Sequence, residues 1–172
     1  MQFKNAVVLF SLLATSALAA PFHVPHAPHT KRADALTLVD YNTLSISNGT
    51  AGDAKAEALA KIAALPDDLS TVSSADLDTI ETERESAENA ETEAFNPAID
   101  AASGDEATAL QNGKIKNKVL KLTLEVAGLE IEQAQGEDNQ DKIDEEQTKL
   151  DTNIELDEAA AGQASQAVSF DG

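Results

Sequence analysis

The sequence predicts an all-α domain, an antiparallel bundle of about four helices with an extended N-terminal arm, behind a cleaved leader. Three observations predict this class. Apolar residues recur at helical spacing over much of residues 51–162, capping residues precede these runs, and Pro66 or Gly162 follows them. Alanine, the strongest helix former, is abundant, although the high charge of the chain leaves disorder as a competing interpretation.

Residues 1–20 predict a secretory signal peptide. Lys4 gives a positive start, an apolar run follows over residues 6–13, and the small residues Ala19 and Ala20 suit cleavage by signal peptidase. An apolar run of this length is too short to cross a membrane. The chain is therefore expected to be secreted, to the extracellular space or the cell wall, with no transmembrane span.

Residues 21–32 predict a propeptide, because they end in the dibasic pair Lys31-Arg32, a typical cut site for kexin-type processing proteases. Three histidines recur at every third residue between prolines, so a polyproline II conformation would align their imidazoles on one edge. These residues are His23, His26 and His29. Weak copper or zinc binding is one interpretation of the spacing, and a polar spacer that is discarded with the propeptide is the favoured one.

The net charge of the chain limits the classes of partner that it can bind. Residues 1–32 hold three of the 12 basic residues and none of the 31 acidic ones, so residues 33–172 carry nine basic groups and a net charge of −22. Such a surface repels nucleic acid and anionic lipid headgroups, so we expect no nucleic acid partner. A cationic partner protein is favoured instead.

Residues 33–50 lack helical periodicity and predict an extended arm that lies on the domain. Apolar and polar residues alternate over residues 36–38 and again over residues 44–46, as in short strands. Asn48 begins an Asn-Gly-Thr sequon in a turn-prone position, so it is a candidate N-glycosylation site. Sequons are often unused, so the secreted form is a glycoprotein only where this site is occupied.

The first helix is predicted over about residues 51–65. Thr50 and Asp53 have the spacing of a capping box, in which each side chain satisfies a free backbone N–H of the other residue. Pro66 ends the run, because its ring cannot continue an α-helix.

The second helix is predicted over about residues 74–95. Ser73 and Asp76 form a second capping box ahead of it. Asn96-Pro97 is expected to break the run and to begin a short helical piece, with Asn96 as the cap and Pro97 in the first turn.

The third helix, over about residues 105–135, is the most apolar and is expected at the centre of the bundle. Apolar residues step by four and three along two separate stripes, so the helix contacts neighbours on two sides. The stripes are Ile115, Val119, Leu122, Val126 and Leu129, and Leu120, Leu124, Ala127, Ile131 and Ala134. The alternation over residues 120–126 favours a competing hairpin within residues 115–131, but a run of this length without proline favours a helix.

The fourth helix is predicted over about residues 138–161, with Gly162 as its stop and residues 163–172 as a flexible tail. The acidic stretch over residues 137–146 lacks the alternating ligands and the glycine of an EF-hand loop. It therefore predicts no calcium site, and we expect Asp138 or Asn139 to cap the helix instead.

Four lysines form the only basic cluster after residue 32: Lys114, Lys116, Lys118 and Lys121. The favoured interpretation is that they pair with the glutamate-rich face of the second or fourth helix. The alternative is a docking patch for an acidic polymer or an acidic partner.

The chain lacks the groups that common enzymes use. No histidine or cysteine follows residue 32, which removes Ser–His and Cys–His nucleophiles and the usual zinc and copper ligands. We therefore predict a protein that is not an enzyme, with no catalytic residue, no cofactor and no metal. A hydrolase that uses paired carboxylates is the least favoured alternative.

Four segments resemble a group of fungal (ascomycete) small secreted proteins of unestablished function. They cover residues 40–52, 95–103, 112–123 and 145–154, and NGKIKNKVLKLT at residues 112–123 is the most specific of them. The resemblance spans nearly all of residues 33–172 and implies secretion and a helical fold, without any catalytic residue. A looser likeness to hydrophobic-surface-binding and cell-wall mannoproteins implies surface or lipid binding.

Residues and resemblance together predict a non-catalytic secreted helical protein that acts through its surfaces. The expected place is the fungal cell wall or the extracellular space, with a host as one candidate target. The alternative is a carrier or surfactant-like binder of lipids or hydrophobic surfaces. The expected partners are thus a cell-wall component, a lipid or hydrophobic surface, or a cationic protein.

Overall fold

A computed structural model describes residues 34–171 of the chain. The predicted helical class is confirmed, since helices make up most of these residues and the sheet within them has only two short strands. The predicted signal peptide over residues 1–20 and the predicted propeptide over residues 21–32, with its three histidines, lie outside the described residues.

Six α-helices and two strands follow one another along the described residues. The helices are α1 Tyr41–Leu44, α2 Ala54–Lys61, α3 Ser74–Ala90, α4 Asn96–Ala101, α5 Gly104–Ala134 and α6 Gln140–Ala159. A 3₁₀ turn covers Leu69–Thr71, and a π-helical turn covers Glu91–Phe95. Strands β1 Gly49–Thr50 and β2 Ala164–Ser165 pair antiparallel, with Gly49 opposite Ser165.

The central element is α5, whose 31 residues form one unbroken helix. It begins and ends within one residue of the predicted bounds, so the alternative hairpin within residues 115–131 is wrong. Helices α2, α3 and α6 all pack against it. Its buried apolar side chains form the main core with Ile80 of α3 and Leu150 of α6. They are Val119, Leu120, Leu122, Leu124, Val126 and Ile131.

A second, smaller core lies beside the first and contains the aromatic residues. Tyr41 and Phe95 are buried in it, and the Phe170 ring lies edge-on to Tyr41 at 5.8 Å between centroids. The Tyr41 hydroxyl donates to Oδ1 of Asn117 at 2.8 Å, and Asn117 Nδ2 donates to the Ala87 carbonyl at 2.8 Å. This buried chain of hydrogen bonds joins the arm to α5 and α3, and burial raises the pKa of Tyr41.

The start of α3 agrees with the predicted cap. Ser73 Oγ accepts a hydrogen bond from the Asp76 N–H at 3.0 Å. The Asp76 carboxylate also reaches the arm, where its Oδ1 accepts from the N–H groups of Ala35 and Leu36 at 2.8 and 2.7 Å. Because Asp76 is buried, these bonds fix the beginning of the arm to the first turn of α3.

The predicted Thr50–Asp53 capping box is wrong, and α2 is shorter than predicted. Thr50 belongs to β1, and Asp53 makes no side-chain cap hydrogen bond. The first N–H of α2, at Ala54, donates instead to Oδ2 of Asp157 at 2.8 Å. Asp157 lies on α6 and is 2% exposed, so a buried carboxylate from a distant helix caps α2.

The predicted short helical piece with Pro97 in its first turn is confirmed as α4, but the predicted interruption and the Asn96 cap are wrong, because the chain stays helical from α3 through the π turn into α4. A proline ring clashes with the carbonyl four residues earlier in an α-helix and offers no N–H. The wider π turn over Glu91–Phe95 ends two residues before Pro97. The carbonyl four residues before the proline therefore belongs to the π turn and not to a regular α-helix. The same turn directs Phe95 into the second core.

Helix α6 begins at Gln140, two residues later than predicted. Asn139 makes no cap hydrogen bond, and its Nδ2 donates to Glu132 Oε2 of α5 at 2.8 Å. The expected stop is present at Gly162, which adopts a φ of +80°. Among residues 34–171, no group of three or more acidic side chains could hold a metal ion.

The arm and the C-terminal segment meet across α5. The arm is extended apart from α1, and residues 163–171, expected to form a flexible tail, make several long-range hydrogen bonds. Gln166 N–H donates to the Ala109 carbonyl at 2.9 Å, and Asn42 exchanges two hydrogen bonds with Phe170 at 3.0 and 3.1 Å. Gly113 permits this crossing, because a Cβ at that position would overlap the Gln166 carbonyl oxygen.

Candidate functional site

Helices α3 and α6 pack against α5 and leave a furrow of about 560 Å³ between them. Buried Leu122 lies at its floor, and its walls carry charged side chains from all three helices. Four of the nine basic residues that follow residue 32 line this furrow. The charged residues are Arg84, Glu88, Glu91, Lys118, Lys121, Glu125, Glu146 and Lys149.

Arg84 joins α3 to α5 along the furrow. Its Nη1 lies 2.7 Å from Glu88 Oε2 on the same helix, and its Nε lies 3.2 Å from Glu125 Oε2 on α5. The guanidinium also reaches Glu85 at 3.4 Å. Three carboxylates therefore hold one planar cation, which fixes the position of the furrow wall.

Lys121 and Lys114 follow the favoured sequence interpretation, since both meet the glutamate-rich second segment. Lys121 Nζ lies 3.3 Å from Glu91 Oε2, and Lys114 Nζ lies 4.0 Å from the other oxygen of the same carboxylate. Lys114 also donates to Asn96 Oδ1 at 2.6 Å. Glu91 is placed for this contact because it begins the π turn.

Lys149 lines the furrow from α6, and its side chain is 49% exposed. Its Nζ lies 2.8 Å from both Glu145 and Glu146, the carboxylates three and four residues earlier on α6. The hydrogen bond to Glu145 raises the pKa of Lys149, and the same bond lowers the pKa of Glu145.

Lys118 differs from the other cations of the furrow. It is half-buried, and no carboxylate of the described residues lies within ion-pair distance of its Nζ. Among the described residues, its ammonium is therefore the one furrow cation without an ion-pair partner.

Lys116 lies on the side of α5 that faces α2 and the arm. Its side chain is 0% exposed, and its Nζ lies 2.7 Å from Glu57 Oε2. The same Nζ donates to the carbonyls of Asn48 and Thr50 at 3.3 and 3.0 Å. The predicted pairing with the second or fourth helix is thus wrong for Lys116, whose partner lies on α2.

The predicted site residues fall into two groups. Asn48 is exposed, next to Gly49 with a φ of +95°, and its backbone is held by Lys116. The cleavage residues Ala19, Ala20, Lys31 and Arg32 lie outside the described residues. In the described part, no helix combines the length and the apolar character that a membrane crossing requires.

A second cleft, of about 330 Å³, lies between the arm and α2. Its lining mixes apolar residues, among them Leu36, Val39 and Leu44, with polar and charged ones such as Thr43 and Lys61. Glu83 of α3 also lines it, is 6% exposed, and accepts a hydrogen bond from the Val39 N–H at 3.3 Å. Burial raises the pKa of Glu83.

Sequence reasoning missed two of the basic residues of the furrow, Arg84 and Lys149, and its polar residues Thr148, Thr152 and Asn153. A local signal for the two basic residues exists, since each lies four residues from a glutamate that it contacts, Glu88 and Glu145. The contact of Arg84 with Glu125 has no such signal, because it joins two helices.

Together, the fold and the furrow define a predominantly helical domain with a charged groove on its central helix. The chain belongs to the family described as Domain of unknown function (DUF8454), whose sequence model matches residues 36–169. That span contains every residue of the furrow. No curated protein and no solved structure matches the chain.

Proposed function

We propose that this protein acts outside the cell, at the fungal cell wall or in the surrounding medium, as a non-catalytic binding domain. It is exported by the signal peptide of residues 1–20 and released from its propeptide after Lys31-Arg32. Its helices form an antiparallel bundle around α5, and Asn48 carries a glycan. The surface that engages the target, on the wall or on a host, is the furrow.

The observation that supports this proposal is the set of ion pairs that hold the furrow walls. Arg84 is fixed between Glu88 and Glu125, and Lys121 is fixed by Glu91. Side chains that are already ordered lose little entropy when a ligand arrives, which favours binding.

The same ion pairs argue against catalysis by paired carboxylates. General acid catalysis needs one carboxyl group that keeps its proton near neutral pH. Arg84 lies within 2.7 Å of Glu88 and 3.2 Å of Glu125, so both carboxylates are already engaged by one guanidinium. The pair therefore suits recognition better than proton transfer.

Retention on isolated fungal cell walls tests this proposal. Purified protein is mixed with washed walls, and the pelleted fraction is compared with that of Thr152→Trp, which fills the furrow from α6. Thr82→Trp is the matched control, because Thr82 is exposed on α3 and also donates to the carbonyl four residues earlier. We expect Thr152→Trp alone to lose retention and the walls to release no reducing sugar. Equal retention of both variants, or sugar release by the protein, contradicts the proposal.

A carrier of small apolar ligands is the second candidate, favoured by the cleft between the arm and α2. Exposed apolar side chains lie on both elements, with Leu38 54% and Leu59 48% exposed. A fluorescent fatty acid titrated into the protein tests this function. Ala64→Trp, inside the cleft, should abolish uptake, whereas Ala63→Trp, exposed outside its lining, should not. Absence of uptake by the unmodified protein removes this candidate.

A further inference from the structure

The furrow contains one free cation among charges that are already paired. Lys118 Nζ has no carboxylate partner in the described residues, whereas Arg84, Lys121 and Lys149 each contact at least one. We infer that the furrow binds an acidic sugar, a hydroxyl-rich ligand with a single negative group that docks on Lys118. This inference rests on the proposed function and names the class of ligand.

The balanced charge of the furrow favours a ligand that carries a single negative group. Its walls carry four cations and four carboxylates, so it has no net charge. A polyanion would displace carboxylates from their partners and would meet them at close range, and like charges at close range repel each other. A ligand with one anionic group needs only the free ammonium, and the charge-assisted bond that forms is a strong one.

The uncharged polar groups of the furrow favour a ligand that carries hydroxyl groups. The Thr148 and Thr152 hydroxyls donate to the carbonyls of Asp144 and Thr148, so each presents an oxygen that can accept. Asn153 donates through Nδ2 to the Lys149 carbonyl, which leaves its Oδ1 as an acceptor. A ligand that satisfies these oxygens must supply O–H or N–H donors along its length.

A fatty acid does not meet this requirement, since its chain carries no donor. A sugar does, because each ring offers several hydroxyls. The furrow volume of about 560 Å³ lies within the usual range for small-molecule sites, roughly 300 to 1,000 Å³. None of its lining residues in the described part of the chain is aromatic, so recognition there depends on hydrogen bonds and on the single ion pair.

The anionic group of such a ligand can be a carboxylate or a phosphate, and both would contact Lys118 in the same way. The protein recovered from the culture medium, labelled with ¹⁵N, is therefore titrated with glucuronate, with mannose 6-phosphate and with neutral mannose. We expect one or both acidic sugars to shift amide signals over residues 118–125 and 148–153, and mannose to bind at least tenfold more weakly. Binding of glucuronate alone identifies the carboxylate source, and binding of mannose 6-phosphate alone identifies the phosphate source.

Lys118→Gln keeps a polar side chain with N–H donors, although it is one atom shorter, and removes the charge. We expect it to weaken the acidic sugar at least tenfold, and Lys118→Arg to retain most of the affinity. Lys55→Gln, on α2 and exposed, is the matched control and should bind as the unmodified protein does. Unchanged binding by Lys118→Gln, equal binding of mannose, or shifts confined to other residues would overturn the inference. Retention on walls together with no sugar response would reject this ligand class while the proposed function stands.

Discussion

Lys116 and Lys118 belong to one lysine cluster and lie on one helix, yet their surroundings are opposite. The Lys116 ammonium is fully buried and is shared among Glu57 and the carbonyls of Asn48 and Thr50. The Lys118 ammonium lines an open furrow and has no carboxylate partner among the described residues. Residues two positions apart in an α-helix are separated by about 200° around its axis. The side chains of Lys116 and Lys118 therefore lie on different faces of α5.

The difference shows that basic residues of this acidic chain lie in two kinds of surroundings. On the face toward the arm and α2, a lysine organises the backbone and belongs to the fold. On the face between α3 and α6, cations form a surface that other molecules can reach. Substitutions on the first face should therefore change stability, and substitutions on the second face should change binding.

The largest effect is expected from Lys116→Met, which keeps the volume of the side chain and removes its charge. The variant leaves the Asn48 and Thr50 carbonyls without their donor and the Glu57 carboxylate without its partner. Removal of one partner of a buried ion pair typically costs about 3 to 5 kcal/mol. Because the Glu57 side chain is 41% exposed, we expect about 3 kcal/mol, measured by urea unfolding at pH 7.

Lys118→Gln is the control for this comparison and should change the free energy of unfolding by less than about 0.5 kcal/mol. The double variant Lys116→Met/Glu57→Gln should recover part of the loss, because it also removes the unpaired carboxylate. Equal destabilisation by Lys116→Met and Lys118→Gln would mean that the two faces do not differ as described.

The next effect is expected at Gly113, where α5 is crossed by the C-terminal segment. Gly113→Ala places a Cβ against the Gln166 carbonyl oxygen, and the neighbour is backbone that cannot rotate away. Gly128→Ala is the matched control, since a Cβ there meets Ile80 and Leu77 at ordinary distances of 3.8 and 3.9 Å. Both gain about 1 kcal/mol of helix propensity, but overpacking costs about 1 to 3 kcal/mol at Gly113 alone.

The two glycine variants should therefore differ by about 2 kcal/mol in urea unfolding, with Gly128→Ala the more stable. Hydrogen exchange supplies a second measurement, because Gly113→Ala should lose amide protection over residues 163–171. Similar stability and similar protection in both variants would contradict the close crossing of α5.

A smaller effect is expected at Asp157, which caps α2 from α6. Asp157→Ala removes the acceptor of the Ala54 N–H, and loss of a helix cap typically costs about 1 kcal/mol. Glu155→Ala, exposed on the same helix, should change stability by less than about 0.5 kcal/mol. Circular dichroism during thermal unfolding distinguishes the two, and an Asp157→Ala variant as stable as Glu155→Ala would exclude the cap.

The smallest effect is expected at Glu83 and depends on pH. Burial raises the pKa of Glu83 above its unfolded value, so the folded protein binds this proton more tightly than the unfolded chain does. The stabilisation is present at acidic pH and is lost as the pH rises through the folded pKa. Glu83→Gln keeps an acceptor for the Val39 N–H but has no charge to bury. The free energy of unfolding of this variant, minus that of the unmodified protein, should therefore be larger at pH 7 than at pH 4. Urea midpoints at the two pH values measure this, and a difference of the opposite sign contradicts it.

The elements that the sequence predicts well are those with local signals. The two heptad stripes of α5 lie on one continuous helix, so its bounds were predicted within one residue, and the Ser73 cap lies next to the helix it caps. The C-terminal segment has no such signal, because its partners are far away along the chain. Asn42 and Phe170, for example, are 128 residues apart and bond through ordinary amide groups.

The sequence predicts no furrow, but it predicts the basic cluster that contributes two of the furrow residues. Four lysines in one segment indicated a basic cluster, and the contact of Lys121 with Glu91 follows from the glutamate-rich second segment. Which lysine faces which helix depends on the packing angle of α3 and α6 on α5, and the sequence does not contain that angle. The burial of Lys116 and the free ammonium of Lys118 therefore required the structure.

The pairing of β1 with β2 has a consequence for the order of events during synthesis. Ser165, which bonds to the Ser47 carbonyl, is added 118 residues later. At typical translation rates, about 5 to 20 residues per second, the segment that carries Asn48 waits about 6 to 24 s before its partner strand exists. Until the ribosome releases the last residues, an enzyme that modifies this asparagine meets a loose nascent chain rather than a closed sheet.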